Sequence, residues 1–344
     1  MREFTSMTYF HSPLARGASL LAVFTAFISA PALAHHTGPT GIGGNGGGLA
    51  VQGPDTLEAG KAAAGVQLTY LRTEQRSAAE LAALAAQDVH AHDIDYMATG
   101  VIGLAYGVTD RLTLTAELPF IRRAGLREGV AVPPGVNRLG DVSGIGDASL
   151  LAKYRFARSN ERGFALIGGI KLPSGATHRL STDGELLKAE HQPGSGSWDT
   201  YLGAAAGAEL GPVSLDASVL YQFTTTGAQQ TRLGNRLQGG IALSHHLGAA
   251  EHHHHDEADE HDHGHRSWDL FGEATAEWEG RQTVAGTTED ATGGTAVWLT
   301  TGARLNTASG YSLTVAAEVP LWQDIRPSHA RGDYRLTLAL GKAL

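Results

Sequence analysis

The run His252-His253-His254-His255-Asp256-Glu257-Ala258-Asp259-Glu260-His261-Asp262-His263-Gly264-His265 places seven histidines and five acids within fourteen residues. Neutral imidazole ligates zinc, copper, nickel and cobalt ions, and adjacent carboxylates add charge and further donors. No packed core can use so polar a stretch, so it reads as a solvated loop. Its donors are redundant, which favours weak, fast and poorly selective binding. A structural zinc site instead uses four fixed ligands. Imidazole ligates only when neutral, so acidification to near pH 6 is expected to release the ion. His245 and His246 extend the cluster, and nine of the chain's 17 histidines fall within residues 245–265. The plain alternative is a solubilising insert whose metal affinity is incidental.

A second candidate depends on processing. Arg2 and Arg16, the apolar stretch Ser19–Ala30 and the A-x-A site Ala32-Leu33-Ala34 read as a secretory signal, cleaved after Ala34. The apolar stretch is shorter than the roughly 20 residues of a spanning helix. The expected mature chain begins His35-His36, whose free amine and imidazole would chelate copper. Residues 35–58 read as a flexible Gly- and His-containing segment. The chain has no cysteine, which excludes disulfides, and its net charge of −9 gives no reason to expect nucleic-acid binding.

The elements that would carry these donors alternate with a period of two residues. Leu112, Leu114, Ala116, Leu118 and Phe120 oppose Arg111, Thr113, Thr115 and Glu117. Val213, Leu215, Ala217, Val219, Tyr221 and Phe223 oppose Ser214, Asp216, Ser218 and Gln222. Twelve such segments lie near 60–75, 95–107, 110–121, 146–157, 162–173, 196–210, 212–225, 234–247, 266–280, 294–306, 310–322 and 332–344. They exceed the usual globular strand of about 5–6 residues. A tilted bilayer-crossing strand needs about 9–11. An even count, long strands and aromatics at strand ends, such as Tyr96 and Tyr106, point to an all-β fold. The specific expectation is a transmembrane, up-and-down antiparallel β-barrel of about 12 strands over residues 59–344. A soluble β-sandwich would also alternate.

Connections alternate short and long. Gly107–Asp110, Arg158–Arg162, Gly211-Pro212 and Ala308–Gly310 are tight, and longer links lie near 76–94, 122–145, 174–195, 226–233, 281–293 and 323–331. Ser77–His90 reads as a short helix, and Pro119, Pro173 and Pro320 read as strand ends. Expected lumen groups are Arg111, Glu117, Lys153, Arg155, Lys171, Asp216, Glu273, Glu277, Arg304, Glu318 and Arg335. Both signs occur, so no strong ion selectivity follows. Counting strands places the His-rich loop 245–265 with the short turns, which face the periplasm in such barrels.

Gly140-Asp141-Val142-Ser143-Gly144-Ile145-Gly146-Asp147-Ala148-Ser149-Leu150, followed by Lys153-Tyr154-Arg155-Phe156, resembles a block of the outer-membrane transporter family grouped with the MetA-pathway phenol-degradation proteins. Lys171-Leu172-Pro173-Ser174-Gly175, Gln192-Pro193-Gly194-Ser195-Gly196-Ser197-Trp198-Asp199 and Leu104–Asp110 are similar to other parts of that family. The resemblance implies a barrel in the outer membrane of a Gram-negative bacterium, passing small molecules and supplying no catalytic residues. The residues agree: there is no G-x-S-x-G or H-E-x-x-H, and Ser244 and His245 fall on opposite strand faces. The expected function is an outer-membrane channel that binds a zinc, copper, nickel or cobalt ion through the His-rich loop and aids its passage or buffering. One alternative is a passive channel for small hydrophobic or aromatic compounds. Another is a metal-binding envelope protein that transports nothing. Expected partners are membrane lipid, a metal or small solute, and a periplasmic metal-handling protein of unspecified kind.

Overall fold

Twelve alternating segments each carry one face that must avoid water and one that need not. The computed structural model describes residues 48–159, 161–247 and 266–344, and in it these segments close into one antiparallel ring. The ring strands are β1 (Ala62–Thr73), β2 (Tyr96–Thr109), β3 (Leu112–Val130), β4 (Ser149–Arg158), β5 (Arg162–Lys171), β6 (Asp199–Leu210), β7 (Val213–Phe223), β8 (Arg236–Leu247), β9 (Ser267–Glu279), β10 (Gly294–Asn306), β11 (Tyr311–Ile325) and β12 (Gly332–Ala343). Each pairs with its neighbour in the chain, and β12 returns to β1 with Leu338 opposite Leu68. Closure leaves no edge whose backbone groups would go unpaired in lipid.

Side chains sort by face as the period requires. On β2, Ile102, Leu104, Tyr106 and Val108 are exposed outward while Val101 and Ala105 are buried inward. On β12, Leu336, Leu338 and Leu340 face out and Arg335 and Thr337 face in. Aromatics band the outer face at two heights. Tyr70, Tyr96 and Tyr334 cluster toward one rim, and Phe156 and Phe164 toward the other. An apolar belt between two aromatic girdles around a polar interior is the signature of a transmembrane barrel.

The tight connections lie together at one end. Between β6 and β7 only Gly211 and Pro212 intervene, and Gly211 takes φ 69°, the left-handed conformation this turn requires. The other end carries the long links. There an α-helix, Ala78–Ala85, starts at a capping box in which Ser77 Oγ accepts from the Glu80 N–H and the Glu80 carboxylate accepts from the Ser77 N–H. Its Leu81 is fully buried. A Cβ built on Gly129 would lie 2.2 Å from the Leu81 carbonyl oxygen, so a larger residue there would push the helix away.

Two expectations are corrected here. The link expected at 122–145 is largely strand, because β3 continues to Val130 and pairs there with a further strand, Gly135–Ile145. Pro119 and Pro320 also lie inside strands rather than at their ends. The missing N–H of Pro119 is tolerated because its strand changes partner there. Pairing passes from Glu117 opposite Ser149 to Phe120 opposite Ile145, leaving a gap in the ladder. Pro320 sits at a register shift against β10, beyond Glu318, where pairing with β12 stops.

Candidate functional site: the lumen and its two mouths

From the short-turn end, residues 48–59 cross the bore. Thr56 Oγ1 donates to the Asp110 carbonyl, and the Leu57 N–H donates to Thr113 Oγ1 on β3. Asp55 pairs with Arg155 at 3.2 Å, and Lys153 Nζ donates to the Gly53 carbonyl at 3.1 Å, both from β4. The Gln52 N–H donates to Ser218 Oγ on β7 at 3.0 Å. The far wall holds the rest. Glu273 on β9 accepts the N–H groups of Leu49, Ala50 and Val51, and Arg304 on β10 donates to the Gly48 carbonyl at 3.0 Å. Strands β4 and β10 stand six places apart in a ring of twelve, on opposite walls. The segment therefore spans the lumen, and residues 48–58 are fixed by inward side chains where a flexible tether was expected.

Further in, charges pair between neighbouring strands and, for Arg335 and Glu277, between β12 and β9. Arg335 meets Glu277 through two contacts of 2.6 and 2.7 Å, approaches Glu318 at 3.5 Å, and lies over the Trp298 ring at 4.1 Å. Arg236 meets Glu279 at 3.0 Å. Glu117 and Asp216 are buried on the inner wall. Arg111 departs from expectation: it occupies the tight turn after β2 and is exposed, because the strand begins one residue later.

Toward the long-loop end, the three family-like blocks converge. Lys171 Nζ bonds Asp147 at 2.8 Å and Asp199 at 3.0 Å, and also reaches Ser195 and Ser197. Asp147 accepts from the N–H groups of Gly175 and Ser195 at 2.9 and 2.8 Å. A cavity beside this network is bounded by Glu117, Asp147, Lys171, Asp199, Tyr201, Gln222 and Arg236, with Val101, Pro119 and Ile121 among its apolar lining. Among these, Asp147, Ser195, Ser197 and Asp199 were not singled out from sequence as site residues. The signal was present in the shared blocks, whose spacing alone does not show that they meet.

The cap above is apolar in part. Leu71, Ile94, Met97, Ile121, Leu126, Leu187 and Trp298 form a buried cluster. Beside it sit His92, Glu190, His191 and His329, all buried. Next to His92, Asp93 is held by Arg76 at 2.6 Å and Arg127 at 3.1 Å, and Arg76 also donates to the His92 carbonyl at 2.7 Å. Gln282 Nε2 donates to Glu190 Oε2 at 2.8 Å. Burial pushes the Glu190 carboxyl up to about 7. Burial, with the Arg123 and Lys188 charges, holds His191 well below the usual imidazole range. Burial and the Arg76 and Arg236 charges bring His329 down to about 3. These imidazoles are neutral near pH 7.

Of the sequence-predicted metal donors, only two are among the described residues. His246, at the short-turn end of β8, faces inward and contacts Asp269 at 2.7 Å, while His245 on the adjacent position is exposed on the opposite face. Ser244 is buried on the inward face, so Ser244 and His245 do not meet. His35, His36 and the donors His252, His253, His254, His255, Asp256, Glu257, His261, Asp262, His263 and His265 lie outside the described residues, as does the expected signal 1–34.

The architecture matches barrels already solved. An outer-membrane channel from Pseudomonas putida F1 superposes with a TM-score of 0.57 at 19% identity, covering 84% of this chain and 97% of the channel. The β domain of the Bordetella autotransporter BrkA gives 0.45 at 12% identity, covering 83% of this chain and all of that domain. The NanC porin gives 0.40 at 6%, covering 83% of this chain and all of the porin. No curated protein matches the chain. Belt, girdles and closed ring place the protein in the outer membrane of a Gram-negative bacterium. A family profile described as "Putative MetA-pathway of phenol degradation" matches residues 52–300, well over half of the sequence, and the chain belongs to that family.

Proposed function

We propose that this protein is an outer-membrane channel for small solutes, gated at its periplasmic mouth by residues 48–59, with a His-rich loop that captures divalent transition metal beside that mouth. The observation that carries the channel reading is a polar lumen bridged from wall to wall by a segment held through hydrogen bonds and ion pairs at both walls. Such contacts exchange for water at modest cost, so the bridge can yield to a passing solute. The metal reading is supported by the donor-rich composition of 252–265 and by where its flanks end. Leu247 closes β8 and Ser267 opens β9, both at the short-turn end. Weak multivalent ligation there would raise the local metal concentration at the pore.

The lumen argues against the runner-up, a path for hydrophobic or aromatic compounds, because Lys171, Asp147, Asp199 and Arg236 border its cavity. The test is flux into liposomes carrying the full chain, or a variant with residues 252–265 replaced by a Gly/Ser linker of equal length. Small polar solutes are expected to pass through both, and zinc entry is expected to fall several-fold in the variant. Equal zinc entry would remove the metal role. Absence of all flux would remove the channel.

A further inference from the structure

Three distant pieces of chain put metal-type donors at one buried point in the cap. His92 precedes β2, Glu190 and His191 form a single turn of 3-10 helix (Ala189–His191) between β5 and β6, and His329 lies between β11 and β12. One donor atom from each of His92, Glu190 and His191 lies within 4.8 Å of the others. Glu190 Oε1 is 3.9 Å from His92 Nδ1 and 3.8 Å from His191 Nε2. A second observation points to a ligand. His191 is 1% exposed, and neither of its ring nitrogens has a hydrogen-bond partner among the described residues. Buried polar groups are rarely left in that state.

We infer that His92, Glu190 and His191 bind one divalent transition-metal ion of the zinc, cobalt and nickel class, which clasps the long links over the lumen. Two imidazoles and a carboxylate are a donor set these ions accept, with a position left for water. At bond lengths of about 2.0 Å, tetrahedral donors stand about 3.3 Å apart. The two separations from Glu190 therefore need to close by about half an ångström, and the two rings, within 4.8 Å of each other, by up to about 1.5 Å.

The surrounding contacts orient the donors. Gln282 holds Glu190 Oε2, which turns Oε1 toward the two rings. His92 Nε2 and His329 Nδ1 are 3.1 Å apart, so His92 can donate from Nε2 to neutral His329 and present Nδ1 to the ion. A small cavity bordered by Glu190, Glu279, Gln282 and His329 adjoins the site and can take the water. The charges of Arg123, Lys188, Arg76 and Arg236 also reach this cluster; the Arg123 guanidinium is directed at the carbonyls of His191 and Gln192, at 3.1 and 3.2 Å. This site and the His-rich run are distinct, since the strands flanking the run meet it at the opposite end of the barrel.

The test uses the full chain in detergent micelles, with the seven histidines of the run and His35 and His36 replaced by serine. Cobalt is titrated, and both bound stoichiometry and the visible ligand-field band are read. One equivalent with the intense band of a low-coordinate site is expected. His191→Ala in that background is expected to lose the band and the bound equivalent. His329→Gln is expected to keep the stoichiometry with roughly tenfold weaker binding. No tightly bound cobalt in the parent overturns the inference, whatever the variants do. Undiminished binding in His191→Ala, with folding verified by heat-modifiable gel migration, overturns it equally.

Discussion

Arg335 shows how far the environment of one residue decides its worth. Its guanidinium neutralises the buried carboxylate of Glu318 and the half-buried one of Glu277, and covers Trp298. Removing one partner of a buried pair strands the other, at a cost of about 3–5 kcal/mol. Arg335→Ala is therefore expected to lower the urea midpoint of the barrel in micelles markedly. Adding Glu277→Gln should restore part of that loss. Arg122 and Asp141 form a bond of similar length, 2.9 Å, but both side chains are about half exposed. Arg122→Ala is expected to cost under about 1 kcal/mol. Equal midpoints for the two alanine variants would show that lumen water screens the inner pair as well as bulk water screens the outer one. The alternation of residues 332–340 already tells that Arg335 points inward. Its partners are set by the register of three strands, which no local pattern encodes. The cap histidines are harder still, since His92 and His329 are separated by 237 positions.

At the level of elements, period and punctuation carried most of the information. All twelve ring strands were legible because each keeps a strict two-residue period through the membrane. Beyond it the period fails. Register shifts fall between Arg123 and Leu126, and Gly125 takes φ 66°. That is why the outer part of β3 and the strand Gly135–Ile145 read as a link. The segment 48–59 was unreadable for another reason. Its position depends on groups of the wall rather than on its own sequence. Glu273 is the firmest of these, accepting three successive N–H groups. Glu273→Gln replaces one acceptor oxygen with a donor facing N–H groups. Combined with Lys153→Met, it is expected to raise single-channel conductance or open probability at least twofold in planar bilayers. Conductance identical to the unaltered chain would mean that the segment does not obstruct the path.

For the molecule as a whole, the direction in which the barrel sits decides what each mouth can meet. Short turns, the start of β1 and the end of β12 share one end, and the helix, the outer hairpin and the buried histidines share the other. Outer-membrane barrels insert with short turns toward the periplasm. On that orientation the run proposed to bind metal is expected inside the envelope, where it would collect or buffer metal that has entered, and the buried histidine cap is expected outside. The chain has no cysteine, so single cysteines report sidedness without background. Val132, 87% exposed between β3 and the strand Gly135–Ile145, marks the long-loop end. Ala258 lies within the run. In intact cells a membrane-impermeant maleimide is expected to label Val132→Cys, and to label Ala258→Cys only after the outer membrane is permeabilised. The opposite result would turn the barrel over. The run would then scavenge metal from outside the cell, and residues 48–59 would guard entry from the exterior.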